Sequence, residues 1–250
     1  MREIIYGRNA VYETLRAARR QFFGLQVAET VKLSGRIPQI LELAESRKVA
    51  VRRTPGIKLP AGEVNHQGVA LEVSEYPYCD LVDITDAAAH KGEPPFVLIL
   101  DSLQDPQNFG ALLRTAEVVG VHGVIIPLAR AVDVTPAVVN ASAGACEHLL
   151  IAPSNLAQAV EALKKADVWV VGLDQRGEPL SPAADKHLRG AVGLVVGSEG
   201  EGLHDLTRKK CDILLQLPMR GRIESLNAAV AGSVALYLAL IARRNASGAS

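Results

Sequence analysis

The sequence predicts an α/β protein in which a parallel β-sheet follows a smaller α/β module. In the C-terminal part of the chain, short continuous apolar runs alternate with segments whose apolar residues recur at helical spacing. This is the pattern of buried parallel strands connected by helices. The 250 residues are 48% hydrophobic and only 4% aromatic, a composition typical of α/β proteins rich in Ala, Val and Leu. The length allows one large domain or two smaller ones.

The formal charge is balanced overall but unevenly distributed. The net charge is zero, which argues against a general polyanion binder. Residues 1–78, however, carry 12 Lys/Arg against 8 Asp/Glu, whereas the remainder carries 15 against 19. A mildly basic first module and an acidic second one indicate different partners, with ordinary solvated surface charge as the alternative.

The first predicted domain comprises residues 1–78. Its first helix places Val11, Leu15 and Ala18 on one face, at the spacing of an amphipathic helix. Proline and glycine residues interrupt the region 55–63 before the closing strand. The predicted strands are 4–6, 22–28, 49–51 and 69–73, and the predicted helices are 9–19 and 37–47.

A linker, 79–95, precedes the second domain, 96–250. It contains a helix-like run around 83–89 and ends in a segment rich in glycine and proline. In the second domain, Gly110 is expected to open a helix after the loop 102–109, and Ser154 is expected to cap the helix 155–165. The predicted strands are 96–101, 121–126, 148–151, 168–173, 192–196 and 213–217, and the other predicted helices are 135–145 and 226–243.

Several classes of function are excluded by what the sequence lacks. The three cysteines, Cys79, Cys146 and Cys211, are too far apart for a metal or redox motif, and the six histidines are scattered, so no metal site is expected. The chain shows no dinucleotide-binding glycine fingerprint, no P-loop and no serine-hydrolase elbow. The first residues contain no long apolar region, so no signal peptide is expected, and the longest apolar segment, 226–242, is short for a membrane span. We therefore expect no membrane association and a cytoplasmic location.

Three polar clusters follow predicted strands, where ligands bind in open α/β sheets. The first is Asp105-Pro106-Gln107-Asn108-Phe109-Gly110, with Arg114 a turn further on. Backbone N–H groups at this expected helix start could bind an anion such as phosphate. The alternative is that Asn108 only caps the helix and that Arg114 is an ordinary surface residue.

The second cluster is Gly197-Ser198-Glu199-Gly200-Glu201-Gly202, and the third is Ser225-Leu226-Asn227 before an alanine-rich helix. Helix capping and the favourable placement of an acid at a helix N-terminus would also explain these residues. Each signal alone is modest. The three together, in this order, are far more specific.

The combination resembles the SpoU family of RNA 2′-O-ribose methyltransferases in the SPOUT superfamily. The resemblance covers the whole second domain, through the three clusters above and the segment Leu217-Pro218-Met219. The first domain, with Gly7-Arg8-Asn9-Ala10-Val11 and His66-Gln67-Gly68, is similar to the substrate-binding extension of the ribosomal subgroup. The nearest subgroup methylates a guanosine ribose in bacterial 23S ribosomal RNA. The chain departs from the family after Asn227, where Ala228-Ala229-Val230-Ala231 replaces the usual Val-Ser-Val-Ala, and in the added charge of Arg222.

The resemblance implies a fold and a cofactor. The second domain is expected to be a SPOUT sheet with a deep trefoil knot, and the first a ribosomal-protein-like RNA-binding domain. The knot would place the loops after 168–173, 192–196 and 213–217 around S-adenosyl-L-methionine, held mainly by backbone contacts. The family forms homodimers whose active site draws on both subunits. The expected cofactor-binding residues are Gly172, Leu173, Gly197, Leu217 and Leu226.

The resemblance also implies roles for the polar residues. Arg114 is expected to act at the ribose hydroxyl, and Asn108, Glu199, Ser225 and Asn227 to build the pocket. Because the pKa of arginine is above about 12, Arg114 is better suited to orienting the hydroxyl and stabilising the alkoxide than to accepting its proton. Candidate contacts to RNA phosphates, with solvated surface as the alternative, are Arg8, Arg19, Arg20, Arg52, Arg53, Lys58 and Arg222.

Two other functions remain open at this point. A relative acting on transfer RNA or on another ribosomal position is disfavoured by the additional first domain. A non-catalytic RNA-binding paralogue is disfavoured by the intact polar clusters. An unrelated dinucleotide-dependent dehydrogenase is nearly excluded by the absent fingerprint.

Overall fold

The computed structural model describes residues 2–59, 65–128, 133–180, 184–198, 200, 202–223 and 225–247. The chain forms two compact units. Unit 1 comprises Met1–Pro77 and Asp133–His148, and unit 2 comprises Tyr78–Val132 and Leu149–Ser250. Residues 133–148, expected in the second domain, thus belong to the unit formed by the N-terminal residues.

Unit 1 contains a four-stranded sheet with two helices from the N-terminal segment. The order is β1-β4-β2-β3, with β2 and β3 parallel and the other pairs antiparallel. Helix α1 ends at Ala17, earlier than predicted, because Ala18 adopts a left-handed conformation with φ of 50°. The strands are β1 Arg2–Tyr6, β2 Phe22–Ala28, β3 Val51–Thr54 and β4 Val69–Ser74, and the helices are α1 Arg8–Ala17 and α2 Ile37–Ser46.

Residues 133–148 complete unit 1. They form the helix α5, Pro136–Ala141, and a 3₁₀ helix, Ala145–His148. The Asn140 side chain donates to the Tyr6 carbonyl at 3.0 Å, and the Tyr76 hydroxyl donates to the Cys146 carbonyl at 3.0 Å. The strand predicted at 148–151 therefore begins only at Ile151, because the preceding residues turn back and pack inside unit 1.

A buried ion pair ties this segment to the N-terminal residues. The guanidinium of Arg20 binds both carboxylate oxygens of Glu147, at 3.0 Å through Nε and 2.7 Å through Nη2. Its remaining nitrogen donates to Glu3 at 2.5 Å. The side chains of Arg20 and Glu147 have no exposed surface. Arg20 is consequently not available as a contact to RNA phosphate, which corrects that prediction.

Unit 2 contains a six-stranded sheet in the order β10-β8-β9-β5-β6-β7, and every pair of neighbours is parallel. The predicted α/β fold with a parallel sheet is thereby confirmed, and the knot stays a prediction. The strands are β5 Phe96–Leu100, β6 Gly123–Pro127, β7 Ile151–Ser154, β8 Trp169–Pro179, β9 Val192–Val196 and β10 Ile213–Gln216. The helices are α3 Leu81–Lys91, α4 Pro106–Val118, α6 Leu156–Lys165, α7 Asp205–Lys210 and α8 Ala228–Ser247, with a 3₁₀ helix at Ala184–Leu188.

The central strands β5 and β9 are buried along their whole length, as expected for a sheet covered on both faces. Among the described helices, none has both the length and the apolar character of a membrane-spanning segment. The described residues also include no group of three or more His, Cys, Asp or Glu side chains arranged to bind a metal ion.

Helix α4 begins at Pro106, four residues before the predicted start at Gly110. Asp105 is the N-cap, and its carboxylate accepts from the amides of Gln107 and Asn108 at 3.3 and 3.0 Å. Proline is favoured at the first helical position because its missing N–H would have no helical partner there. Asp105 rather than Asn108 is therefore the cap, Asn108 lies inside the first turn, and Arg114 lies two turns from the helix start.

Candidate active site

A cavity of about 460 Å³ lies in unit 2 at the carboxyl ends of β9 and β10 and beside residues 173–176 of β8. This volume is in the range of small-molecule sites, and the edge of the sheet is where parallel α/β folds bind ligands. Apolar and polar side chains both contribute to its walls. The lining residues are Leu173, Asp174, Gln175, Arg176, Val196, Gly197, Ser198, Gly200, Gly202, Arg208, Leu215, Gln216, Leu217, Met219, Ser225, Leu226, Asn227, Ala228 and Ala231.

The first wall is an excursion of strand β8 that is not apparent from the sequence. Gly172 pairs with Leu214, but the next pair is Glu178 with Leu215, so residues 173–177 leave the ladder. A bulge redirects the side chains of a strand, and here it brings residues 173–176 to the cavity. Strand β8 therefore extends to Pro179 rather than ending at residue 173 as predicted.

The second wall is the loop that follows β9. Ser198 and Gly202 exchange backbone hydrogen bonds of 3.1 and 3.2 Å, which folds the loop back on itself. A side chain at Gly197 would overlap the backbone of Gly202, so this position requires glycine. The loop is anchored at its far end by Asp101. The Asp101 carboxylate accepts from the backbone amide of His204 at 2.9 Å and contacts Nδ1 of the His204 ring at 2.8 Å.

The third wall is formed by residues 215–219 and by residues 225–231, where α8 begins. Asn227 caps this helix, because its Oδ1 accepts from the amides of Ala229 and Val230 at 3.0 and 3.2 Å. Its Nδ2 donates to the side-chain oxygen of Asn108 on α4 at 3.1 Å. One amide side chain thus caps α8 and also connects the first and third polar clusters.

Asp174 and Arg208 are charged residues of the cavity that are not among the predicted site residues. Nε of Arg208 donates to Asp174 at 2.8 Å, and the Arg176 amide donates to Asp174 at 2.9 Å. Burial alone would raise the pKa of Asp174, but the bond from the Arg176 amide and the ion pair with Arg208 lower it overall. Asp174 directly follows the predicted strand 168–173. The search for polar residues after predicted strands, which selected Glu199, would therefore have found it. Arg208 offered no such signal.

The predicted cofactor residues are mostly brought together. Leu173, Gly197, Leu217 and Leu226 line the cavity. Gly172 is not among the lining residues: it is buried in β8, where an added Cβ would lie within 2.9 Å of Leu203, Leu214 and Cys211. Its glycine is explained by packing between the sheet and the neighbouring segments.

The predicted catalytic residues are only partly assembled in one chain. Ser225 and Asn227 line the cavity, and Asn108 is joined to Asn227. Glu199 lies outside the described residues. Arg114 is exposed on α4 and is not part of the cavity lining. Within the part of the chain that the structure describes, no hydrogen bond or ion pair engages its side chain.

The predicted RNA contacts differ in exposure. Arg52, Arg53 and Lys58 are exposed in unit 1, and Arg222 is exposed in unit 2. Arg8 is half-buried, and its Nε donates to the Gln67 carbonyl at 3.1 Å.

Arg19 is held inside unit 1. It donates to the Tyr76 hydroxyl at 3.2 Å and to the Pro77 carbonyl at 3.1 Å, and it lies over the Tyr76 ring. These contacts leave its guanidinium poorly placed for a phosphate.

The lining residues fit S-adenosyl-L-methionine. Leu173, Leu217 and Leu226 offer apolar surface to an adenine ring. Asp174 and Gln216 are suited to hydroxyl and ammonium groups. The walls are therefore able to hold a nucleoside joined to an amino acid.

Comparison with known protein families agrees with this geometry. Residues 95–237 match the SpoU rRNA Methylase family, and residues 4–79 match the RNA 2′-O ribose methyltransferase substrate-binding domain. The chain belongs to the SpoU family. It is therefore a member of a family of RNA 2′-O-methyltransferases that use S-adenosylmethionine, and the predicted family and cofactor are confirmed.

Individual SpoU relatives cover nearly the whole chain. A Bacillus subtilis protein placed in the TrmH family of tRNA/rRNA methyltransferases, YacO, is 41% identical over 94% of both chains. The 23S rRNA (guanosine-2′-O-)-methyltransferase RlmB of Xylella fastidiosa is 41% identical over 86% of both chains. The crystal structure of the SpoU methyltransferase AviRb from Streptomyces viridochromogenes with AdoMet is 26% identical, with a TM-score of 0.77 over 98% of this chain and 91% of its own.

Proposed function

We propose that this protein transfers a methyl group from S-adenosylmethionine to the 2′-oxygen of a guanosine ribose in 23S ribosomal RNA. The observation that carries the substrate is the 41% identity to the RlmB protein of Xylella fastidiosa. The second candidate is another ribosomal or transfer RNA position, since the Bacillus relative is named as a tRNA/rRNA methyltransferase. A ribosomal RNA substrate would place the protein in the cytoplasm.

The substrate is tested by mapping ribose methylation in RNA from a deletion strain. We expect one guanosine of 23S RNA to lose its methyl group, with restoration by the wild-type gene and not by Arg114→Ala. Loss of a methyl group from a transfer RNA, with 23S RNA unchanged, would support the second candidate. A non-catalytic paralogue would leave every position methylated.

Cofactor binding and RNA methylation are expected to use different residues. S-adenosylmethionine supplies an electrophilic methyl group, so the protein has to hold the ribose hydroxyl in line and favour its deprotonated form. We assign the cavity walls at Leu173, Gly197 and Leu217 to cofactor binding. Arg114 would orient the hydroxyl and stabilise the developing alkoxide, and Asn108, Glu199, Ser225 and Asn227 would shape the site.

Arg114 is proposed to act across a homodimer interface. Helix α8 exposes an apolar stripe at helical spacing, and α4, which packs beside it through a 2.9 Å contact between the Thr115 and Ser233 hydroxyls, exposes Val118. Contiguous exposed apolar surface of this kind marks association sites. The stripe on α8 consists of Val230, Val234, Tyr237, Leu238 and Ile241.

Mixing two inactive variants tests the shared site. Arg114→Ala and a variant that cannot bind the cofactor are refolded together, and methylation is measured. If each site takes its arginine from one chain and its cofactor from the other, the mixed dimer regains one complete site. Activity no greater than that of either variant alone would contradict the arrangement, as would a monomeric mass by light scattering.

We assign RNA recognition to unit 1, through exposed cations such as Arg52, Arg53 and Lys58. Deletion of residues 1–78 is a poor test of this assignment, because it would strip residues 133–148 of their packing partners and expose the buried Glu147. Substitutions at the surface are cleaner. They should weaken RNA binding and leave cofactor binding unchanged.

A further inference from the structure

Arg208 connects three segments around the cavity. From helix α7, its Nε donates to Asp174 in the excursion of β8 at 2.8 Å, and its Nη2 donates to the Leu203 carbonyl at 2.5 Å, at the end of the loop after β9. Its Nη1 contacts the carboxylate of Asp205 at the start of α7. One guanidinium therefore joins two walls of the cavity to a helix behind them.

The excursion of β8 depends on such contacts. Residues 173–177 do not pair with β10, so this wall lacks the ladder hydrogen bonds that fix an ordinary strand. Asp174 is one residue by which it is held: its side chain is only 7% exposed and accepts from Arg208 and from the Arg176 amide. Asp174 and Arg208 also both line the cavity.

We propose that Arg208, acting through Asp174, is a positioning residue that holds the excursion 173–177 against the loop after β9 at the spacing required for cofactor binding. This inference rests on the proposed use of the cavity for S-adenosylmethionine. Without the ion pair the excursion samples other conformations, and the cofactor has to select the competent one, which lowers its apparent affinity. Methyl transfer itself, once both substrates are bound, needs no contact from Arg208.

The test measures S-adenosylmethionine binding to the full chain by calorimetry. For Arg208→Gln we expect about tenfold weaker binding, the size typical of losing a charge-assisted hydrogen bond. At saturating cofactor, kcat and the KM for RNA should stay near wild-type values. Lys209→Gln is the matched control, because it removes the same charge from an exposed neighbour on α7 that does not line the cavity.

Two further measurements separate positioning from general destabilisation. Trypsin should cleave after Arg176, within the excursion, faster in Arg208→Gln than in wild type, at a temperature where both remain folded. Asp174→Asn should weaken cofactor binding in the same way, and the double variant should bind no more weakly than the worse single variant, because both act through one contact.

Cofactor binding by Arg208→Gln at the wild-type affinity would overturn the inference, and so would independent, additive losses in the double variant. A fall in kcat with unchanged affinity would also overturn it, because Arg208 would then act on the reaction. Failure of the wild-type protein to bind S-adenosylmethionine would instead contradict the proposed function.

Discussion

Two arginines, Arg20 in unit 1 and Arg208 in unit 2, each bind carboxylates far away in the sequence, but their surroundings differ. The Arg20 side chain has no exposed surface, and neither has that of its partner Glu147. Arg208 is 15% exposed and faces a cavity. The first pair is enclosed by packed residues, whereas the second borders space that a ligand can occupy.

The difference shows that the environment of an ion pair decides what its loss changes. Removing one partner of an enclosed pair leaves an unpaired charge without water, so the cost falls on folding. A pair beside a cavity can be rehydrated when it is broken, so the cost falls mainly on whatever the cavity binds. Variants of the arginines in the two units test this distinction.

The largest expected effect is on the stability of unit 1. Arg20→Met leaves the buried Glu147 carboxylate without its bidentate partner, and loss of one partner of such a pair costs about 3–5 kcal/mol. The free energy of unfolding, measured by denaturant titration, should fall by this amount. Cofactor affinity of the folded fraction should be unchanged.

Arg2→Met is the matched control, because its ion pair with Glu72 is 61% and 36% exposed and should contribute less than about 1 kcal/mol. Burial raises the pKa of Glu147 and Arg20 opposes this shift, so the variant carboxylate has a folded-state pKa further above its unfolded value. The Arg20→Met variant should therefore be more stable at low pH than at neutral pH, and its free energy of unfolding should fall as the pH rises. Equal losses in the Arg20 and Arg2 variants would contradict the comparison.

The next largest effect is on catalysis. Arg114→Ala should reduce methylation by about 10²–10³-fold, as removal of a group that stabilises a developing oxyanion does. Because Arg114 is exposed and outside the cavity lining, its loss should change neither the melting temperature nor cofactor affinity. Arg244→Ala, at an exposed position on α8, controls for the loss of a surface cation. Full activity in Arg114→Ala would remove Arg114 from the mechanism.

The strand pattern of unit 2 could be predicted from sequence because each central strand is a continuous apolar run. Strand β9 coincides with its prediction, and β5 and β10 differ by one residue. The predicted start of α4 at Gly110 is wrong, because Asp105 supplies the cap and Pro106 the first helical position. Hydrophobic runs therefore locate the central strands well, because such a run is a property of neighbouring residues.

Two other features that the sequence did not predict depend on long-range contacts. The excursion 173–177 appears only in the register between β8 and β10, and the engagement of Arg20 by Glu147 joins residues 127 positions apart. Both partners were visible in the sequence, but no periodicity links them. Charge alone could therefore not separate an interior arginine from one that is exposed for RNA.

A smaller effect is expected from the bond between the two asparagines. Asn108→Ala removes the acceptor of the 3.1 Å bond from Asn227 and leaves the cap of α8 intact. Loss of one such bond predicts about tenfold lower kcat, with unchanged stability. Asn227→Ala should add a loss of stability, because the cap is removed as well. Identical behaviour of the two variants would show that the connection, not the cap, matters.

The smallest effect concerns exposed arginines that bind no carboxylate among the described residues. Arg52 and Arg53 are consecutive residues of β3, an edge strand of the unit 1 sheet, and both are exposed. If each contacts one phosphate, each alanine variant should weaken RNA binding a few-fold and reduce the salt dependence of log K by about 1. Anisotropy titrations over a range of salt concentrations measure both quantities, with Lys165→Ala in unit 2 as the control.

Because the side chains of Arg52 and Arg53 are already in water, stability should not change. A weaker affinity with an unchanged salt slope would mean that the arginines shape the surface rather than bind phosphate.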